Sequence, residues 1–110
     1  MTKQEIYNKV KAHLLKQNEK SMALVPDRGK PVCAYRGDNG MMCAAGILIP
    51  DELYSPEMEN KPWLSMTDDF ELNIGHRRFI QDLQSIHDHY DPPQWEAQLK
   101  ALATTEGLTP

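Results

Sequence analysis

The sequence lacks the long apolar runs that mark membrane proteins. None of its segments approaches the roughly 18–20 apolar residues that are needed to cross a bilayer. The first 15 residues, MTKQEIYNKVKAHLL, contain neither the continuous apolar stretch nor the small-residue cleavage site of a signal peptide. We therefore expect a cytoplasmic protein that is not associated with a membrane.

Cysteine is scarce, and its usual metal-binding spacings are absent. Nine residues lie between the two cysteines, Cys33 and Cys43, and the sequence contains no CxxC or HxxxH pair. In a reducing compartment, cysteines serve as thiols or metal ligands more often than as disulfides. Because free cysteines usually pack as small apolar residues, we expect both thiols to be buried, with metal coordination as an alternative.

The sequence also has little of the basic and aromatic surface that nucleic acids require. Residues 1–50 carry eight basic and four acidic side chains, whereas residues 51–71 carry one basic and seven acidic ones. Proteins that bind nucleic acids usually combine a basic stripe with aromatic side chains that stack on bases. The only aromatic side chains in residues 1–50 are those of Tyr7 and Tyr35. A nucleic acid is therefore not the expected partner.

The length of 110 residues and the ordinary composition, with 40% hydrophobic and 25% charged residues, predict a single globular domain over residues 1–110. Amphipathic periodicity predicts three helices. The first covers residues 3–17, where Thr2 and Glu5 can form a capping box. The second starts at His76, and the third follows the capping sequence DPPQ and ends near residue 104.

The middle of the chain predicts a small extended unit. Residues 31–36 form an extended segment, and residues 37–40 a tight turn, because glycine and asparagine tolerate positive φ. A returning strand would place Arg36 opposite Gly40 and Cys33 opposite Cys43. The alternative is a short helix over residues 42–48.

The predicted fold class is therefore α+β, a mostly helical domain with one short β-hairpin or strand-turn-helix unit at residues 31–49. Two other segments are less regular. Residues 22–25 could be a short strand or a loop anchor. Residues 51–75 are acidic and interrupted by Pro56 and Pro62, which predicts an irregular segment held down by its apolar side chains.

Residues 33–54 read CAYRGDNGMMCAAGILIPDELY. The spacing C-x-Y-R-x3-G-x2-C-x2-G-x-L-I-P-D-E resembles a pattern in small uncharacterised proteins of tailed bacteriophages and their bacterial hosts. The similarity extends to Leu83, Gln84, His87 and Asp88 and to the following Trp95. No activity is established for that family. The resemblance therefore implies only a phage or prophage setting in the host cytoplasm, where such proteins often act on host machinery or host defence.

A binding surface is the favoured functional hypothesis, and it would combine aromatic and charged side chains beside rigid turns: Tyr35, Arg36, Asp38, Asn39, Asp51 and Tyr54. Arginine and tyrosine are common anchors in protein interfaces, and an arginine beside a glycine turn can hold an anion. We expect a non-enzymatic protein that binds a host protein or a small anionic ligand, with homo-oligomerisation left open. Alternatively, Tyr35 packs in the core and Arg36 pairs with Asp51 or Glu52.

Two chemical alternatives use the cysteines. A zinc site could combine Cys33, Cys43 and His87 with a fourth ligand. A cysteine-dependent hydrolase would use Cys43 as nucleophile at a helix N-terminus, His87 as base and Asp88 to orient the base. A simpler, structural interpretation competes with both alternatives. In it, His87 lies at the edge of the core and is hydrogen-bonded to the backbone.

Overall fold

The computed structural model describes residues 1–24, 29–70 and 72–110. It confirms a mostly helical α+β fold, with four helices and a two-stranded antiparallel sheet in the described residues. No helix in this part of the chain is both long and apolar enough to span a bilayer. In chain order the elements are α1 (Lys3–Gln17), β1 (Met22–Leu24), β2 (Pro31–Cys33), α2 (Trp63–Asp69), α3 (Arg77–His89) and α4 (Pro92–Thr105).

The first helix begins as its sequence predicts. The Thr2 hydroxyl accepts a hydrogen bond from the Glu5 amide, and the Glu5 carboxylate accepts one from the Thr2 amide. Each side chain therefore satisfies a backbone donor that the helix leaves unpaired. The helix ends at Asn18, which has a left-handed backbone with φ of 52°.

Helices α1, α3 and α4 pack against one another. Each contributes an apolar face to one core, and the interior side chains from these helices are Ile6, Tyr7, Val10, Leu14, Phe79, Ile80, Leu83, Ile86, Trp95, Leu99 and Ala103. A Gln94 side-chain oxygen accepts from the Asp91 amide at the start of α4, in agreement with the predicted cap. The sheet and the loop segments cover one side of this core.

The strand pairing differs from the predicted hairpin. β2 pairs with the upstream strand β1, and Cys33 lies opposite Met22 instead of Cys43. Arg36 makes a single bridge to Met42, not to Gly40. The prediction placed the partner of this strand after the turn at residues 37–40, whereas the observed partner precedes it. The short β1 segment offers little periodicity that would identify it, and Val25, which we included in it, lies outside the described residues.

The predicted helix over residues 42–48 is also reduced, to one 3-10 turn at Gly46–Leu48. Cys43 precedes this turn. A Cβ atom at Gly46 would lie 2.0 Å from the Tyr35 carbonyl oxygen. The backbones of residues 35 and 46 therefore pack directly on each other.

The segment that we predicted as irregular contains a helix. α2 follows Pro62, and it buries Trp63 and Met66. Upstream, Pro56–Met58 forms a 3-10 turn in which the Ser55 hydroxyl accepts from the Glu57 amide. The spacing of Trp63 and Met66 is helical, but α2 has only seven residues, too few for a clear periodic pattern. We also interpreted Pro62 as a helix breaker, although proline is well tolerated at helix starts. For these two reasons the sequence did not predict α2.

Candidate functional site

Tyr35, the aromatic residue at the start of the predicted binding surface, is not exposed. Tyr35 is 7% exposed and belongs to the core. Its hydroxyl donates to the Lys61 carbonyl oxygen, and burial raises its pKa well above the usual value for tyrosine. The expectation that Tyr35 faces outward is therefore wrong. Its ring packs near Trp63, with ring centroids 6.3 Å apart.

Arg36 is held by neighbouring groups instead of facing solvent. One guanidinium nitrogen donates to Asp51 at 2.8 Å, and another donates to the Ile49 carbonyl oxygen at 2.7 Å. The guanidinium carbon lies 4.8 Å from the centroid of the Tyr54 ring, a cation–π contact. The structure thus brings Arg36, Asp51 and Tyr54 together and shows the pairing of Arg36 with Asp51 that the alternative interpretation expected, although the buried Nε of Arg36 has no acceptor among the described residues.

Glu59 joins this cluster and was not predicted. Its carboxylate accepts from the Tyr35 amide at 2.8 Å, from the Arg36 amide at 3.1 Å and from the Tyr54 hydroxyl at 2.6 Å. Little in the local sequence indicates this role, because two of the three donors are backbone amides that lie 24 and 23 residues away in the chain. These hydrogen bonds hold the loop in place.

The two turn residues of the predicted surface are exposed. Asp38 accepts a hydrogen bond from the Leu24 amide at the end of β1, so its carboxylate caps the sheet. Asn39 has φ of 61°, and Gly40 has φ of 75°, which confirms the left-handed turn that the sequence predicted. Both residues have a structural role at this turn.

Cys43 does not have the surroundings of a nucleophile. It is fully buried, and burial raises the pKa of its thiol to about 12. Its sulfur accepts a hydrogen bond from the Gly46 amide at 3.3 Å. Because the thiolate is the reactive species, a thiol in this environment is unreactive at neutral pH. The structure thus confirms the burial expected for this cysteine.

His87 fits its simpler interpretation. It is fully buried and stacks on Trp95 at a centroid distance of 5.5 Å. Its Nε2 lies 2.9 Å from the Ser21 amide, and its Nδ1 lies 2.8 Å from an Asp88 oxygen. A backbone amide can only donate, so Nε2 accepts and Nδ1 carries the proton in the neutral ring. Neither nitrogen is free to act as a general base.

The predicted zinc ligands are not brought together. Among the described residues, the one group that could hold a metal is Cys33, His87 and Asp88, whose ligand atoms lie within 4.8 Å of one another. Cys43 is not part of it, and Cys33 is exposed, contrary to expectation. A zinc ion at this group would need a lone pair on Nδ1 of His87. Because Nε2 accepts the hydrogen bond from the Ser21 amide, Nδ1 carries the proton of the neutral ring and has no lone pair to offer. This donor set does not fit a tetrahedral zinc site.

Beside these residues lies a cleft of about 130 Å³ that we call the Trp63 cleft. It is bordered by the segment after β2, by residues 59–63 and by one face of α3. Its lining residues include Cys33, Glu59, Lys61, Trp63, Gln81 and Asp88. The cleft therefore combines aromatic, charged and amide groups in a space large enough for a small ligand or for one side chain of a partner protein.

Trp63 is the distinctive member of this cleft. It is 1% exposed, and its indole Nε1 has no hydrogen-bond acceptor among the described residues. By contrast, the indole of Trp95 donates to the Tyr90 carbonyl oxygen at 2.9 Å. Buried indole groups usually have such a partner. Trp63 was predicted only as an apolar anchor, because a sequence does not show whether an indole donor will be satisfied.

Gln84 closes the inner side of the cleft and was also not predicted. Its side-chain oxygen accepts from the Ala45 amide, and its nitrogen donates to Asp88. Its position four residues before Asp88 on one helix face was the available sequence signal.

No family model matches the chain, and no curated protein or solved structure compared with it is significantly similar.

Proposed function

We propose that this protein is a non-enzymatic binding protein, an accessory factor in a phage or prophage setting, which engages a host protein or a small anionic ligand through the Trp63 cleft. The observation that carries the proposal is the indole N–H of Trp63, a residue that lines that cleft: this N–H is buried and has no acceptor among the described residues. Leaving such a donor unsatisfied costs about 1–3 kcal/mol. A ligand that enters the cleft and brings an acceptor to this N–H would remove this cost.

The other polar groups of the cleft favour an acceptor over a cation. Both Glu59 oxygens already accept hydrogen bonds from the protein. One oxygen of Asp88 accepts from His87 and Gln84. These carboxylate oxygens are therefore already engaged. Lys61 and Gln81 also border the cleft; each makes one long hydrogen bond of 3.4 Å, to Asp69 and Ser85, and keeps at least one further N–H group for a ligand. A carboxylate, phosphate or amide group suits these donors best.

Binding is preferred over catalysis because the reactive groups are not activated. The Cys43 thiol is buried with a raised pKa, and both ring nitrogens of His87 have partners. These observations support a protein that recognises a partner through preformed groups without transforming it.

Capture of partners from a bacterial host lysate tests the proposal, with the tagged full chain as bait. Trp63→Phe removes the donor and keeps an aromatic ring, and Gln81→Glu replaces an amide at the border of the cleft with a negative charge that repels an acceptor. We expect both to reduce capture of the partner about tenfold, the equivalent of one hydrogen bond of about 1.4 kcal/mol. Ala97→Glu adds the same charge on an exposed position of α4 outside the cleft and should bind like the unmodified chain.

Small anions are tested in parallel by thermal shift with inorganic phosphate and a set of short carboxylates. Stabilisation that Trp63→Phe reduces would support the small-ligand form of the proposal. Two outcomes would reject the proposal. One is capture that the cleft variants do not change. The other is a chain that captures no protein and is stabilised by no anion.

A further inference from the structure

A second group of side chains lies at the mouth of the Trp63 cleft and contains two sulfur atoms. Cys33 and Met22 are directly opposite each other in the β1–β2 pair, and side chains at opposed positions project from the same face of the sheet. The Cys33 thiol donates to the Met22 thioether sulfur at 3.8 Å. The two sulfurs are therefore held together by the strand register and not by a flexible loop.

The distance between these sulfurs matches a shared metal ion. With metal–sulfur bonds of about 2.3 Å, two sulfurs 3.8 Å apart can bind one ion with an angle of about 110° at the metal. This angle is suitable for trigonal or tetrahedral coordination. No rearrangement of the strands is needed to bring the ligands within reach.

Asp88 adds negative charge next to the sulfur pair. Its carboxylate and the Cys33 sulfur belong to the group of ligand atoms within 4.8 Å of one another. His87 and Gln84 donate to one of its oxygens, which fixes the carboxylate in place. His87 itself is excluded as a ligand, because its Nδ1 carries the proton that it donates to Asp88.

We infer that Cys33 and Met22, with the Asp88 carboxylate beside them, form a binding site for one thiophilic monovalent cation, Cu(I). Thiolate and thioether ligands are soft donors that favour Cu(I), whereas a thioether is a poor ligand for hard divalent ions. Binding forms two copper–sulfur bonds and breaks the S–H bond of Cys33, whose proton passes to solvent. No atom changes its oxidation state.

The site is accessible, and it shares Cys33 and Asp88 with the lining of the Trp63 cleft. Cys33 is exposed, and Met22 is half-buried, so an ion can enter from solvent without opening the core. Cys43 is enclosed in the core and cannot compete for the metal. The inference concerns the bare ion, and it is tested without the partner of the cleft.

The test is an anaerobic titration of the full chain with Cu(I) held by a chromophoric chelator such as bicinchoninate. The unmodified chain should withdraw one Cu(I) per molecule. Cys33→Ser should lower the affinity by about 100-fold or more, and Met22→Leu by about 10- to 100-fold. Met41→Leu removes a thioether elsewhere in the chain and should change nothing. Circular dichroism checks that each variant is folded.

Silver(I), a diamagnetic ion with the same preference for sulfur, provides a second readout. Its addition should shift the methyl resonance of Met22 in the NMR spectrum, assigned from its loss in Met22→Leu, and should leave that of Met41 in place. A chain that binds no Cu(I) stoichiometrically would overturn the inference. So would binding that survives Cys33→Ser, or binding that Met22→Leu leaves unchanged, since the latter would be the property of a single surface thiol.

Discussion

At the scale of the residue, the most consequential environment is that of His87. The ring accepts a hydrogen bond from the Ser21 amide, donates to Asp88 and stacks on Trp95. Helices α3 and α4 and the residue that precedes β1 therefore meet at one side chain. A sequence in which histidine, cysteine and aspartate occur together suggests chemistry, but here the histidine links parts of the structure.

We predict that His87→Ala lowers the free energy of unfolding by about 3–5 kcal/mol, because it leaves a cavity and a buried Ser21 amide without an acceptor. His89→Ala, two residues later and exposed, should stay within about 0.5 kcal/mol. Urea unfolding followed by circular dichroism measures both. Equal effects of the two substitutions would show that the buried hydrogen bonds of His87 do not stabilise the fold.

At the scale of the element, the 3-10 turn Gly46–Leu48 is the part of the fold that tolerates least change. The turn packs against the backbone of Tyr35 so closely that a Cβ at Gly46 would be 2.0 Å from a carbonyl oxygen. A backbone atom cannot move aside as the end of a side chain can. The contact also positions the segment that forms one wall of the Trp63 cleft.

We predict that Gly46→Ala destabilises the protein by about 3 kcal/mol or more, since the added methyl group must displace the backbone of residue 35. Gly75→Ala is the matched control. Its Cβ would meet no atom within 4 Å, and it has φ of +81°, so only the backbone strain of about 1–2 kcal/mol applies. Thermal unfolding of the two variants compares steric contact with strain. A smaller effect at Gly46 than at Gly75 would contradict the close packing.

The elements also show how far the sequence could predict the fold. The start of α1, the turn at residues 37–40 and the helices after residue 76 followed from residues within four positions of one another. The strand pairing and α2 did not. β1 and β2 have three residues each, too few for periodicity to identify their pairing. The burial of Tyr35 depends on residues 59–63, which no local pattern connects with it.

At the scale of the whole molecule, several acidic groups are kept protonated by burial in one core. Burial raises the pKa of the Cys43 thiol from 9.0 to about 12. It also raises the pKa values of Tyr35 and Tyr54 above the usual value for tyrosine. The unfolded chain releases these protons at lower pH than the folded chain. Stability must therefore fall as pH rises above the pKa values of the unfolded chain.

We predict that the free energy of unfolding falls from about pH 9 upward, with Cys43 alone contributing up to about 1.4 kcal/mol per pH unit until its folded pKa is reached. Urea unfolding at pH 7, 9 and 10 measures the slope. Cys43→Ala should flatten the fall between pH 9 and 10, whereas Cys33→Ser, at an exposed site, should retain most of it. A slope that Cys43→Ala leaves unchanged would contradict the burial of this thiol.

The sequence by itself determined the α+β class, the capped helices and the left-handed turn, because these depend on neighbouring residues and on the allowed backbone angles. Only the tertiary structure decided which groups meet. It moved Tyr35 into the core, paired Arg36 with Asp51, placed Cys33 beside Met22 instead of Cys43, and left the Trp63 indole without an acceptor. These contacts depend on strand register and helix packing across distant parts of the chain, and a shift of one residue in the β1–β2 register would by itself separate Cys33 from Met22.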